Sequence, residues 1–218
     1  MNSLNSYTGK IIEVELTSKK NITGKLIEVG LDIIVLFNGT YFAYLPIQHI
    51  HRVRKGESTD TDFTSNELSP ILKDDDQLTL RKIVNNASGI FVEILLSGNH
   101  VVYGYIQHVQ DDYVVLDSPA FKTMILPIAH LNCLIPYLNQ TPYQIRAEKQ
   151  PVISKGSFAL TFNEQLKVYN GRVVIFDLGK DPQKVGLLTK VEDRMVELVT
   201  GNGQILYLNI AHLKSLHG

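Results

Sequence analysis

The chain of 218 residues has a single cysteine, almost no net charge and no long apolar segment. Cys133 has no partner for a disulfide within the chain, and no cluster with metal-ligand spacing accompanies it, so we expect a small buried apolar residue there. The formal net charge of −1 gives no overall attraction to nucleic acid or to an anionic membrane. The apolar runs are too short to span a bilayer, and we expect no membrane insertion.

Targeting and catalytic motifs are missing as well. The first seven residues lack a basic region followed by an apolar run, so we expect no signal peptide. No glycine-rich phosphate loop, Gly-x-Ser-x-Gly elbow or His-Glu-x-x-His motif occurs. The paired carboxylates at 111–112 and 74–76 are in a turn and an acidic linker, where solvation explains them. The sequence therefore predicts a protein that is not an enzyme, with no cofactor, no metal and no small-molecule substrate.

One pattern occurs three times along the chain. Each copy has two glycines 15 residues apart, at Gly9 and Gly24, Gly89 and Gly104, and Gly171 and Gly186. A closing histidine follows the second glycine by 25 residues in the first copy and by 26 in the others, at His49, His130 and His212. Spacings held this tightly indicate internal repetition, which decides the fold.

Each copy is typical of five short strands. In the first copy, apolar and charged residues alternate from Ile11 to Leu16, which predicts a half-buried strand. Gly24 predicts a bend or bulge in the second strand, and Asn38-Gly39 predicts a hairpin. Residues 46–49 predict a 3₁₀ turn before the last strand. Five strands in so short a stretch, with a bent second strand, predict a small barrel.

We therefore predict an all-β fold of three tandem small SH3-type, Sm-like barrels with short lead-in helices, at residues 5–55, 77–136 and 157–217. Residues 77–87 are predicted to be an amphipathic helix, whereas the periodicity of 158–169 fits either a helix or a strand. Residues 56–76 hold seven acidic residues against one base and are predicted to be an exposed, mobile linker. A second linker, 137–156, is predicted to be extended.

Two families resemble these repeats. The segment Val14-x-Leu16 with Gly24-x-Leu26-x-x-Val29-x-x-Asp32 is similar to the first signature of the Sm proteins. A closer resemblance is to spore coat protein B of spore-forming bacilli, whose tandem units contain roughly Gly-x-Leu-x-x-Val-x-x-Asp-Tyr-x-x-Leu and end in Tyr-x-x-x-x-His-Ile-Lys-Ser-Ile. Here the matching segments are Gly104-Tyr-Ile-Gln-His-Val-Gln-Asp-Asp-Tyr-Val-Val-Leu116 and Tyr207-Leu-Asn-Ile-Ala-His-Leu-Lys-Ser-Leu216.

The resemblance to spore coat protein B covers all three copies and implies a non-enzymatic structural protein. Such a protein is made in the mother-cell cytoplasm and deposited in the spore coat. Its expected interactions are with other coat proteins and with further copies of itself. The Sm resemblance implies the alternative, an RNA-binding regulatory protein.

The recurring histidines His49, His130 and His212 are the candidates for chemistry. One interpretation makes them metal ligands or acid–base groups; the other makes them structural, with each imidazole bonding the backbone at the turn. The structural interpretation is favoured, because each histidine is flanked by Ile or Leu and has no neighbour at metal spacing. On this interpretation we expect Ile47, Ile128 and Ile210 to point into the barrels.

The first copy is locally basic. It carries seven basic residues against four acidic ones, the basic residues being Lys10, Lys19, Lys20, Lys25, Arg52, Arg54 and Lys55. Such a surface binds RNA or docks the acidic linker. Docking is favoured, because no aromatic residues suited to base stacking are interleaved with the lysines.

Overall fold

The computed structural model describes residues 2–56, 70–71, 77–138, 143 and 157–218. In these ranges the protein is mostly antiparallel β-structure with short helices, so the all-β prediction is confirmed at this level. The helices are α1 (Asn2–Asn5), α2 (Leu80–Asn86) and α3 (Phe162–Val168). The strands are β1 (Ile11–Leu16), β2 (Asn21–Val29), β3 (Ile33–Phe37), β4 (Phe42–Pro46), β5 (Ile50–Lys55), β6 (Phe91–Leu96), β7 (His100–Val109), β8 (Tyr113–Ser118), β9 (Lys122–Pro127), β10 (Leu131–Pro136), β11 (Val173–Phe176), β12 (Val185–Glu192), β13 (Met195–Thr200), β14 (Ile205–Asn209) and β15 (Leu216–His217).

The chain forms two compact units, residues 1–103 with 131–145 and residues 104–130 with 146–218. The ladder of the first unit runs β6-β10-β4-β3-β2-β1-β5. That of the second runs β14-β13-β12-β11-β15-β9-β8. Within each copy the fifth strand pairs with the first, as β5 does with β1, β10 with β6 and β15 with β11. The division into three barrels stays a prediction, and most of the two predicted linkers lies outside the described residues.

The alternation predicted for the first strand is present. Ile12, Val14 and Leu16 are fully buried in a cluster that also takes up Leu95 and Cys133. In the second unit, Phe162 and Leu166 of α3 join a cluster with Phe176, Leu198 and Tyr113, among others. The segment 158–169, which fitted either a helix or a strand, therefore contains a helix with one buried face.

Two residues singled out in the sequence have a clear structural role. Cys133 is buried in β10, as predicted, and burial, reinforced by nearby Glu93, raises its thiol pKa to about 12.

The bulge that was predicted at Gly24 lies further along the second strand. The register shift of β2 lies between Leu26 and Glu28, beyond Gly24. A Cβ at Gly24 would be 2.7 Å from the Phe37 carbonyl oxygen. Close approach of β3 therefore requires this glycine.

Each lead-in helix docks on the preceding copy through an aspartate. The Leu80 N–H at the start of α2 donates to Asp32 Oδ1 at 2.8 Å. In the same way the Phe162 N–H at the start of α3 donates to Asp112 Oδ1 at 2.7 Å. A carboxylate satisfies a backbone donor that has no partner inside the helix, so these two residues fix where the next copy begins.

Asp112→Ala is expected to lower the free energy of unfolding by about 1–2 kcal/mol, because it removes the acceptor for the Phe162 N–H. Asp112→Asn keeps a side-chain oxygen at the same place and should cost less. Urea denaturation followed by circular dichroism measures both variants. Equal losses for the two would show that charge, and not the hydrogen bond, determines the effect.

Candidate interaction surface

The recurring histidines occupy equivalent positions in the three copies. Each ends a 3₁₀ turn, and these turns are Ile47–His49, Ile128–His130 and Ile210–His212. The His130 ring Nε2 is 3.0 Å from the carbonyl oxygen of Ala211, which lies in the turn of the third copy. Among the described residues, no group of three or more histidine, cysteine or acidic side chains could hold a metal ion. His130 therefore joins the turns of two consecutive copies.

The isoleucines of the same turns are only partly buried. Ile47 packs against the cluster of the first unit and Ile210 against that of the second. Their predicted direction, toward the core, is thus seen for these two residues, although neither is enclosed.

His130→Ala is expected to lower the free energy of unfolding by about 1 kcal/mol, the usual contribution of one side-chain hydrogen bond. The loss should appear in the second unit, which contains both His130 and Ala211. Hydrogen exchange at the Ile210–His212 turn measures it locally. Unchanged protection there would mean that the imidazole does not hold the two turns together.

Both arginines of β5 form ion pairs within the first unit. Arg52 pairs with Glu15, and Arg54 pairs with Glu13 at 2.7 Å. The hydrogen bond from Arg54, together with the charges of both arginines, holds the pKa of the Glu13 carboxyl below its usual value. This edge therefore presents ion pairs, and only part of the predicted basic patch remains as net positive charge.

The fourth strand of the third copy differs from those of the first two copies in its pairing. β4 pairs with β10, with Tyr44 opposite Leu134. β9 pairs with β15, with Ile125 opposite Leu216. Tyr44 and Ile125 occupy the same position in their copies, directly before the leucine of the closing motif, so the two pairings share one register. In the third copy that position is Tyr207 on β14, and among the described strands β14 has β13 as its one ladder neighbour.

This difference leaves side chains of the third copy exposed. Tyr44 and Ile125 are fully buried, whereas Tyr207 is 64% exposed. Tyr44 Oη accepts a hydrogen bond from the Ile71 N–H, but Tyr207 Oη donates instead to Glu197 Oε2 on the neighbouring strand, at 2.8 Å. The position that the next copy covers in the first two copies is therefore exposed in the third.

An apolar row crosses the outward face of the third copy. Val173 pairs with Leu187, Leu187 with Val199, and Val199 with Ile205. Directly paired residues lie on the same face of a sheet, so the four side chains form one line across β11 to β14. Val173 and Ile205, at its two ends, are 64% and 58% exposed. Ile205, at the β14 end of this line, and Tyr207 on the same strand form what we call the terminal surface.

Sequence reasoning missed the terminal surface, although the aligned copies carried a signal for it. Asp32 and Asp112, which receive the lead-in helices, correspond to Arg194 in the third copy. The buried Val35 and Val115 correspond to Glu197, which is only partly buried. Both changes replace a residue that contacts or faces the next copy with one that carries a different charge.

Comparison with known proteins supports a single family. The sequence profile of the family described as "YwrJ third domain" matches residues 161–216. A Bacillus subtilis (strain 168) protein named "Uncharacterized protein YwrJ" is 34% identical over 223 residues, covering 100% of this chain and 99% of the relative. In the part of the chain that the structure describes, no helix has the length and apolar character needed to cross a membrane.

Proposed function

The chain belongs to the YwrJ family, and we propose that it is a non-enzymatic structural and interaction component of the bacterial spore coat. In this proposal the three copies are three small Sm-like barrels, similar to those of spore coat protein B. They are made in the mother cell and deposited on the spore. Their partners are other coat proteins.

The observation that carries the proposal is the terminal surface. In the first two copies the fourth strand, β4 or β9, pairs with a strand of the next copy. The fourth strand of the third copy, β14, has no such partner among the described strands. An uncharged strand edge beside exposed apolar side chains is suited to pairing with another polypeptide. Repeated units that bind through backbone pairing fit assembly better than turnover of a substrate.

Fractionation of spores tests the location. A tagged copy of the protein, produced from its own promoter in a sporulating bacillus, is expected in the coat extract of mature spores. A cytosolic protein carrying the same tag serves as the control and should stay out of that extract. Recovery only from vegetative cytosol would overturn the placement.

The alternative, an Sm-like RNA-binding regulatory protein, has less support because Arg52 and Arg54 are held in ion pairs. It predicts salt-sensitive retention of single-stranded RNA through Lys19, Lys20 and Lys25. Filter binding at low salt, with these three lysines replaced by glutamine as the control, distinguishes the two functions. Tight retention that the replacement abolishes would favour the RNA-binding function.

A further inference from the structure

We propose that the terminal surface binds a second copy of this chain, with the two β14 strands pairing antiparallel about a two-fold axis centred on Tyr207. This pairing names a partner within the proposed assembly and so rests on the proposed function. It is measured on the purified protein, so its test is independent of where the protein is located in the cell.

The backbone of β14 has its open groups in the right place. Ile210 N–H donates to the Arg194 carbonyl at the end of the β13–β14 ladder, at 2.8 Å. Hydrogen-bonded pairs alternate along an antiparallel ladder. The N–H and C=O groups that point away from β13 therefore belong to Ile205, Tyr207 and Asn209.

The side chains favour a partner without charge. The sequence of β14 is Ile-Leu-Tyr-Leu-Asn, with no charged residue, and Lys or Pro that would block an edge is absent from it. The outer positions of β10, which pack into the core of the preceding copy, are Cys133 and Ile135. A strand that joins β14 from outside has to bring similarly uncharged side chains.

The fifth strand of the first copy does not meet this requirement. Its positions corresponding to Cys133 and Ile135 are Arg52 and Arg54, both ion-paired. Placing these ion pairs against the half-buried leucines of β14 would remove charges from water without new partners, which is costly. A head-to-tail chain of copies is therefore disfavoured, although it would repeat the internal pairing.

A second copy of β14 meets both requirements, because it carries no charged residue and can pair antiparallel with the first. With Tyr207 opposite its own counterpart, each Tyr207 exchanges N–H and C=O hydrogen bonds with the other. Ile205 then pairs with Asn209 of the second copy. The tyrosines form an aromatic cross-strand pair, which is stabilising, and the side chains that meet at the new seam carry no charge. The contact is self-complementary, as a two-fold interface has to be.

Sedimentation of the full chain over a dilution series measures the pairing. We expect a monomer–dimer equilibrium, with no species larger than a dimer. Ile205→Lys should raise the dimer dissociation constant about tenfold or more by placing a charge on the edge. Val173→Lys is the matched control, because it adds the same charge at an equally exposed β-branched residue three strands away. A wild-type chain that stays monomeric, or a control that weakens the dimer as much as Ile205→Lys, would overturn the proposal.

A cysteine cross-link fixes the register. Residues opposite each other in a hydrogen-bonded pair have Cα atoms about 5.5 Å apart, a separation that a disulfide spans. Tyr207→Cys should therefore give a covalent dimer on mild oxidation, while buried Cys133 stays unreacted. Val173→Cys should remain monomeric. In head-to-tail pairing Tyr207→Cys alone would not cross-link, but its mixture with Val53→Cys would, and that result would refute the two-fold arrangement. Neither outcome depends on where the protein is located in the cell.

Discussion

Gly186→Ala is expected to lower the free energy of unfolding by about 3 kcal/mol, because the new methyl group would meet backbone that cannot move aside. A Cβ at Gly186 would lie well inside van der Waals contact with the carbonyl oxygen of Val199 on the paired strand. Relieving that contact means separating β12 from β13 where Val196 and Leu198 are fully buried. The midpoint of chemical denaturation, followed by circular dichroism, measures the loss.

Gly201→Ala is the matched control in the same unit. A Cβ at Gly201 would have nothing within 4 Å, so the variant should be within about 0.5 kcal/mol of wild type. Equal losses at Gly186 and Gly201 would mean that the close approach is not the cause. The same contact recurs at Gly24 and Gly104, at 2.7 Å from the Phe37 oxygen for Gly24 and closer for Gly104, so Gly24→Ala should be milder than Gly104→Ala.

The repeated glycine shows what the sequence alone can predict. The spacing of Gly24, Gly104 and Gly186 located the second strands, and period-2 alternation located the buried face of β1. Hairpin and turn residues such as Asn38-Gly39 placed the strand ends to within a residue or two. These features are local, because backbone conformation and side-chain alternation depend on near neighbours.

Pairing between copies was not predictable in the same way. The local patterns of β4 and β9 do not indicate that each pairs with the fifth strand of the next copy. An apolar strand has the same pattern whichever strand lies beside it. The histidines illustrate the same limit. The structural interpretation was favoured from their flanking residues, but the bond from His130 to Ala211 joins positions 81 residues apart.

Asp177 is a buried residue of the third copy that the sequence analysis did not single out. Its carboxylate binds groups from two other segments of that copy. The residue follows β11 directly, is 3% exposed, and has positive φ, as does the next residue, Leu178. Its Oδ1 accepts the backbone N–H of Lys214 at 2.7 Å. Its Oδ2 receives the ammonium groups of Lys184 and Lys214. One carboxylate thus holds the segment after β11 to the segment before β15.

Asp177→Asn is expected to lower the free energy of unfolding at neutral pH by about 2 kcal/mol. The substitution keeps the shape but leaves two partly buried ammonium groups without their counter-charge. Because both lysines keep some contact with water, the loss should be smaller than for a fully buried pair. Asp181→Asn is the control: this exposed residue caps the turn at Pro182–Lys184 through a side-chain oxygen that asparagine retains. A loss at Asp181 as large as that at Asp177 would contradict the assignment.

The pH dependence of the Asp177→Asn effect separates charge from shape. Burial on its own would raise the pKa of Asp177, but the hydrogen bond from Lys184, the Lys214 N–H and the two positive charges outweigh it, and the pKa is lowered from its usual 3.8. A carboxyl with a lowered pKa in the folded state stabilises the fold above its unfolded pKa, and this contribution is lost as the pH falls through the folded value. The difference between wild type and Asp177→Asn should therefore be constant near neutrality and shrink below about pH 4. Thermal unfolding of both proteins over that range measures it, and a difference that persists undiminished in acid would show that the amide disturbs packing instead of removing a needed charge.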